Sequence, residues 1–278
     1  MEDVVLVSGV RTAIGRFNGS LANTPASDLG STVIKEAVNQ AGIEPEVVDQ
    51  VIMGIVGQVA EDAYLSRVST IKAGLEIETP AVNVNRLCGS GLEAINSAAR
   101  YIETGDAEVV VAGGAENMTR LPYYLRKARS GYRLGHDTIE DGVVKLLSDP
   151  FEGYHMGITA ENVAKKYNIT RNEQQEFAIS SHQKASEAQS KGNFDNEITV
   201  IGNCSKDGNI RPNSNQETLD GLKLAFDQNG TVTAATSSPL TDGAAATLIC
   251  EEQYAKDNNL QILARIISTG VKGCAPNY

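Results

Sequence analysis

The sequence predicts a layered α/β fold with a substantially parallel sheet. Strand and helix patterns alternate in β-α-β-α-β-α-β order up to residue 112. The strand runs are short and rich in β-branched residues, and glycines stand where helices should stop.

The first strand is the run Val4-Val-Leu-Val7. After a loop rich in Gly, Asn and Pro, a helical stripe of Leu29, Val33, Ala37 and Ala41 follows. Gly42 stands where a left-handed helix stop is wanted. Residues 51–56 form the next strand and 63–73 the next helix. A third strand, 81–85, leads into Cys88. The helix after it is expected to bury Leu92, Ile95, Ala99 and Ile102 and to end near Gly105, and 109–112 is a fourth strand.

The rhythm then breaks. Residues 121–230 hold few strand signals and several polar helical stretches, as expected of an insertion placed over the sheet. Within it, Thr170-Arg-Asn-Glu173 is a capping box opening a helix that runs towards Lys191 and Gly192. The α/β pattern resumes at 243–250 with a short polar helix behind it, and the apolar run 262–271 reads as a fresh strand. The expected organisation is an N-terminal α/β half, 1–120, completed by 231–258, then an inserted domain, 121–230, and a further opening strand in 259–278.

The 35 acidic residues outnumber the 24 basic ones, a formal net charge of −11. That balance argues against nucleic acid or an anionic membrane as the main partner, while a few local cations could still hold a phosphate. Apolar residues make up 41% and charged residues 21%, as in a soluble globular chain. No apolar stretch is long enough to span a bilayer, and the acidic N-terminus has neither a basic region nor a cleavage site, so the expected location is cytoplasmic. The four cysteines, Cys88, Cys204, Cys250 and Cys274, form no C-x-x-C pair and are read as reduced thiols. His136, His155 and His182 show no metal-ligand spacing, so no metal is expected.

The chemistry concentrates at Cys88. It stands at a strand-to-helix junction, where the unpaired N–H groups and the dipole of the helix favour an anion, so a thiolate nucleophile is expected. Gly89 and Gly91 leave room for another backbone or a substrate. Local chemistry alone equally allows a buried structural cysteine at a tight turn.

Val82-Asn-Val-Asn-Arg-Leu-Cys-Gly-Ser-Gly-Leu92 resembles the nucleophile segment of the thiolase family. Four further segments resemble that family in its order. They are Arg11-Thr-Ala-Ile-Gly-Arg-Phe17, Gly105-Asp-Ala-Glu-Val-Val-Val-Ala-Gly-Gly-Ala-Glu-Asn-Met118, Tyr154-His-Met-Gly-Ile-Thr-Ala-Glu-Asn162, and Gly230-Thr-Val-Thr-Ala234 with Thr241-Asp-Gly-Ala-Ala245. The resemblance implies an αβαβα layered thiolase-like fold. It implies acyl-CoA C-acyltransferase chemistry, in which Cys88 carries the acyl group as a thioester while two acetyl-CoA are condensed or a short-chain 3-ketoacyl-CoA is cleaved. Coenzyme A thioesters are then substrates, with no permanently bound cofactor. His155 and Met156 match the pair beside the acyl and pantetheine groups. Leu147 and Phe226 match pocket positions, and Arg211 and Ser238 match positions that contact CoA. Without the motif, His155 would read as an ordinary loop histidine and Arg211 as a solvated loop charge. Ala235-Thr-Ser-Ser-Pro239 and Glu61-Asp-Ala-Tyr-Leu-Ser66 depart from the family's usual forms, the second at a dimer contact.

A thiolase is built from two α/β halves, and these residues match the first half and the inserted domain, the C-terminal half being largely absent. The family's histidine in a Gly-His-Pro-type segment and its second cysteine in a Cys-x-Gly-Gly-type segment have no match. Lys272-Gly-Cys-Ala-Pro276 lacks the glycine pair. Little turnover by this polypeptide alone is therefore expected, since each missing acid–base or oxyanion group typically costs orders of magnitude. The implied partners are CoA or acyl-CoA, a second copy in a homodimer or homotetramer, and a complementary C-terminal polypeptide. The rivals are a non-catalytic remnant that binds CoA or a partner, and a ketoacyl-synthase-like enzyme. His155-Met156-Gly157 and Thr241-Asp-Gly243 speak against the latter.

Overall fold

Period-2 alternation builds the centre of the molecule. The computed structural model describes residues 3–278; Met1 and Glu2, which open the stretch read as lacking a leader, lie outside the described residues. Five long strands, β1 (Val4–Thr12), β2 (Gln50–Gly54), β3 (Ala81–Val84), β4 (Val109–Asn117) and β5 (Thr241–Glu251), are joined by a two-residue β6 (Ala264–Arg265). Their order in the sheet is β6-β1-β5-β4-β2-β3. Strands β4, β2 and β3 run parallel. The expectation of a substantially parallel sheet needs one correction: β5 enters between β1 and β4 and is antiparallel to both.

Along these strands Val5, Val51, Met53, Val111 and Leu248 enter one core, and Val4, Ile52, Val110, Ala112 and Ile249 enter the other. The first core is capped by α1 (Ala26–Ala41) and α2 (Leu65–Ala73), the second by α3 (Ser90–Glu103). The result is a three-layer α/β/α sandwich, each face covered by an apolar helix stripe. Gly42 ends α1 at φ 71, a left-handed stop that only glycine adopts without penalty.

Two sequence expectations fail here. Leu92 is 64% exposed, because α3 turns Ala94, Ala98, Ala99 and Ile102 to the sheet. The run 262–271 is not a fresh strand of another sheet. Only Ala264 and Arg265 pair, antiparallel to Leu6 and Val5 of β1, with Leu263 N–H and Ile266 N–H donating to the Leu6 and Val4 carbonyls. The open side of β1 supplies the unpaired donors and acceptors that capture it.

By Cα proximity the chain divides into two units. The first takes in Met1–Arg120, Phe194–Asn209 and Leu240–Gly270 and holds the sandwich. It therefore includes 194–209, a segment inside the stretch expected to be inserted. Arg11 anchors that segment: its guanidinium donates to both Asp207 carboxylate oxygens, at 2.7 and 3.0 Å, and to Glu197 at 2.7 Å. Burial pushes the Asp207 carboxyl up, but Arg11 and the Ile14 N–H outweigh it and hold it below the ordinary aspartate range.

The second unit, Leu121–Asn193, Ile210–Pro239 and Val271–Tyr278, is mostly polar helix and loop. Its main helices are α4 (Met156–Tyr167) and α5 (Arg171–Ser190). The Thr170–Glu173 capping box opens α5 in both of its reciprocal bonds. Among the described residues no helix is long and apolar enough to cross a membrane, and no cluster of His, Cys, Asp and Glu is placed to hold a metal ion.

Asp207→Asn should cost about 2–3 kcal/mol at neutral pH, measured by urea unfolding, because the Arg11 guanidinium loses its bidentate partner. A carboxyl depressed in the folded state stabilises above its unfolded value and loses that contribution as pH falls through the folded one. The gap between variant and parent should therefore close only below the ordinary carboxylate range.

Candidate active site

The backbone between β3 and α3 folds back on itself to present Cys88. Leu87 is held at φ 48, in the left-handed region that a leucine enters at a cost of roughly 1–2 kcal/mol. Its neighbours hold it there. The Leu87 N–H donates to Asn85 Oδ1 at 3.0 Å, and the Leu87 carbonyl accepts from both the Ser90 N–H at 3.0 Å and Ser90 Oγ at 2.6 Å. Ser90 Oγ in turn accepts from the Arg86 N–H at 2.9 Å. Gly89 is the N-cap residue, and Cys88, immediately before it, is exposed. A buried structural cysteine is thereby excluded.

Glycine backbones let α3 reach the sheet. A Cβ on Gly54 would lie 2.5 Å from the Ser90 carbonyl carbon and 2.7 Å from the Gly91 nitrogen. A Cβ on Gly114 would lie 3.0 Å from the Gly54 oxygen, and one on Gly113 would collide with the Ala245 oxygen of β5 at 2.2 Å. Gly54 and Gly114 therefore set how closely the start of α3 approaches, while Gly113 leaves room for the β5 backbone. Gly91 and Ile95, in the first and second turns of that helix, line an apolar cavity of about 330 Å³ with Gly113, Gly114, Ala245 and Ala246.

Carboxylates organise the loops around this junction. Glu93, on the first turn of α3, is bound by Arg86 at 2.9 Å and Arg100 at 3.2 Å. Arg86, more than Arg100, holds the Glu93 carboxyl below its ordinary range. Glu116 accepts the Val56 and Gly57 N–H groups at 2.8 and 3.0 Å. Burial nonetheless pushes the Glu116 carboxyl up, so its ionisation weakens the fold as pH rises through that window. Asp242, fully buried, accepts from the Thr119 N–H and hydroxyl and fixes the start of β5.

The other matched residues belong to the second unit, and four of them converge. Met156 N–H donates to the Leu147 carbonyl at 2.8 Å, and the His155 ring stacks on Phe226 with centroids 4.9 Å apart. His155 Nδ1 accepts from the Gly157 N–H at 3.1 Å, capping α4, which assigns the ring proton of the neutral form to Nε2. The Phe226 ring lies against Gly157, where a Cβ would meet it at 2.1 Å. The loop behind Phe226 is fastened to α4 by Glu161, whose carboxylate accepts from the Thr231 and Val232 N–H groups and the Thr231 hydroxyl. Arg211 and Ser238 are exposed and are not bonded to this cluster. The Arg211 backbone N–H donates to His182 Nδ1, and the guanidinium has no ion-pair partner among the described residues. Sequence reasoning named Cys88 and the His155 cluster. It missed Asn85, Ser90, Glu116 and Glu161 as supports, although each stands inside a quoted motif.

Residues 4–253 match the family described as Thiolase, N-terminal domain. The acetyl-CoA acetyltransferase of Cupriavidus necator is 46% identical to this chain, covering 99% of it and 73% of the relative. The Escherichia coli K12 protein of the same name is 47% identical with the same coverage. A crystal structure of the Bacillus anthracis acetyl-CoA acetyltransferase superposes with a TM-score of 0.96 at 41% identity, covering 100% of this chain and 72% of that one. A human mitochondrial 3-ketoacyl-CoA thiolase solved in complex with CoA superposes at 0.95 and 37% identity, covering 99% and 71%.

Gly54→Ala should lose about 2 kcal/mol or more, since the added Cβ meets backbone that cannot swing away. Gly91→Ala, with nothing within 4 Å of its added Cβ, should be neutral or gain up to about 1 kcal/mol of helix propensity. Thermal melts of the two variants check this; equal melting temperatures would contradict the close-approach account.

Proposed function

The chain belongs to the thiolase family of acyl-CoA C-acyltransferases, and from that premise we propose that Cys88 accepts the acyl group of an acyl-CoA. The carrying observation is the exposed thiol at the tied left-handed turn, on the residue that matches the family's nucleophile. The Cys88 sulfur attacks the thioester carbonyl, the carbon–sulfur bond to coenzyme A breaks, and the thiol proton leaves with CoA. The product, an acyl-cysteine thioester, keeps the carbonyl electrophilic for a second, carbon nucleophile. Condensation of two acetyl-CoA, or the reverse cleavage of a short-chain 3-ketoacyl-CoA, is the reaction this supports.

Leu147, His155, Met156 and Phe226 are proposed to line the acyl and pantetheine path, with Nε2–H of His155 as a donor. The stacked His155–Phe226 pair and the Glu161 fastening support a preformed wall there. Arg211, with its unpaired guanidinium, and Ser238 are proposed to contact CoA. A cytoplasmic location belongs to the same proposal.

A homodimer or larger homo-oligomer is also proposed. Strand β3 ends the sheet, paired on one side only, and exposed Val82, Leu87 and Leu92 follow along its edge, the turn beyond it and the first turn of α3. Tyr64 and Ile77, 71% and 69% exposed, are further apolar side chains in neighbouring segments of the same unit. Such exposed apolar surface supports burial against a second copy.

Acetyl-CoA should acetylate Cys88 and leave Cys274, also exposed, unmodified, as read by peptide mass mapping, and Cys88→Ser should abolish the label. Label on Cys274 alone would overturn the assignment. By light scattering the parent should be oligomeric, and Val82→Lys should shift it towards monomer at micromolar concentration.

A further inference from the structure

We infer that Ser90 is the positioning residue of the nucleophile, acting through the backbone that carries Cys88 and not by contact with substrate. Its side chain is buried and its hydroxyl bonded both ways: it donates to the Leu87 carbonyl at 2.6 Å and accepts the Arg86 N–H at 2.9 Å. Those two groups bracket the turn immediately before the thiol. The same serine's N–H also donates to the Leu87 carbonyl, so one residue supplies both bonds that the left-handed carbonyl receives. Asn85 secures the other side of Leu87 by accepting its N–H.

The energetic logic is that of a stored strain held by local bonds. Leucine relaxes readily to negative φ, and that relaxation would swing Cys88 away from the start of α3. Removing the Ser90 hydroxyl leaves the Arg86 N–H and half of the Leu87 carbonyl's bonding unmet in a confined place. Ser90 cannot move to compensate, because Gly54 packs its backbone against the Ser90–Gly91 peptide. The freedom is therefore released into the turn, where misplacement of a reacting atom by about 1 Å can lower a rate on the order of 100-fold.

The inference rests on Cys88 being the acyl acceptor, and the test separates the two. Ser90→Ala is alkylated with iodoacetamide and, separately, treated with acetyl-CoA, and all four cysteines are quantified by peptide mapping. Cys204 and Cys250 are buried, and burial pushes the Cys250 thiol up to about 12, so both report unfolding; exposed Cys274 reports general reagent access. The expected result is roughly tenfold slower modification of Cys88, with Cys274 unchanged and Cys204 and Cys250 still protected. Leu87→Gly in the Ser90→Ala background should recover most of the loss, because glycine takes the positive φ without strain. Asn85→Ala, at an exposed side chain that spares the packed helix start, should slow Cys88 by about threefold. Cys88 modified at the parent rate in Ser90→Ala, or slowed only together with labelling of Cys204 and Cys250, overturns the inference. Parent protein that takes iodoacetamide but no acetyl group at Cys88 instead overturns the acyl-acceptor reading, with the Ser90 effect on alkylation still measurable.

Discussion

The site depends on how closely helix α3 can be brought down onto the sheet. Two glycine backbones, Gly54 and Gly114, allow an approach that side chains would block. With α3 seated there, the chain leaving β3 has only Asn85–Gly89 in which to rise and reverse before the helix begins. A left-handed residue at Leu87 is the consequence, and the bonds from Ser90 and Asn85 keep it in place. Cys88 is exposed because of this compression, at a point where the helix start offers a positive field to a developing anion.

The two kinds of hydrogen bonding in the molecule divide the labour. Strand ladders and alternating apolar residues make the sandwich rigid. Buried or half-buried carboxylates then tie irregular segments to it: Glu116 holds Val56 and Gly57, Asp242 holds Thr119, and Asp207 binds Arg11. In the second unit Glu161 does the same for the loop carrying Phe226. Loops cannot draw on a ladder, so their backbone N–H groups need such partners wherever they must be precise in position.

Local patterns carried much of this into view. The strand run that opens at Val51, the glycine stop after Ala41 and the capping box at Thr170 are short-range signals, and each forms as read. Leu92 misled because helical spacing gives a face but not which neighbouring residues pack, and alanines won the contact. Strand character in 262–271 was overestimated because an apolar run does not reveal how many residues an existing edge can bind. The support of the site was hidden for a different reason. Glu116 lies 60 residues from Val56, and Glu161 lies 70 from Thr231, so neither bond leaves a local trace. Ser90 and Asn85 were visible as letters of a motif, while their role follows only from the sign of one backbone angle at Leu87.

The central claim is that this backbone presents Cys88 as a reversible acyl carrier. The direct measurement is exchange of isotopically labelled CoA into acetyl-CoA, catalysed by the purified protein without any second carbon nucleophile. The account predicts exchange that depends on Cys88 and vanishes in Cys88→Ser. Folded protein that exchanges no label, or exchanges it equally well after that substitution, would contradict it.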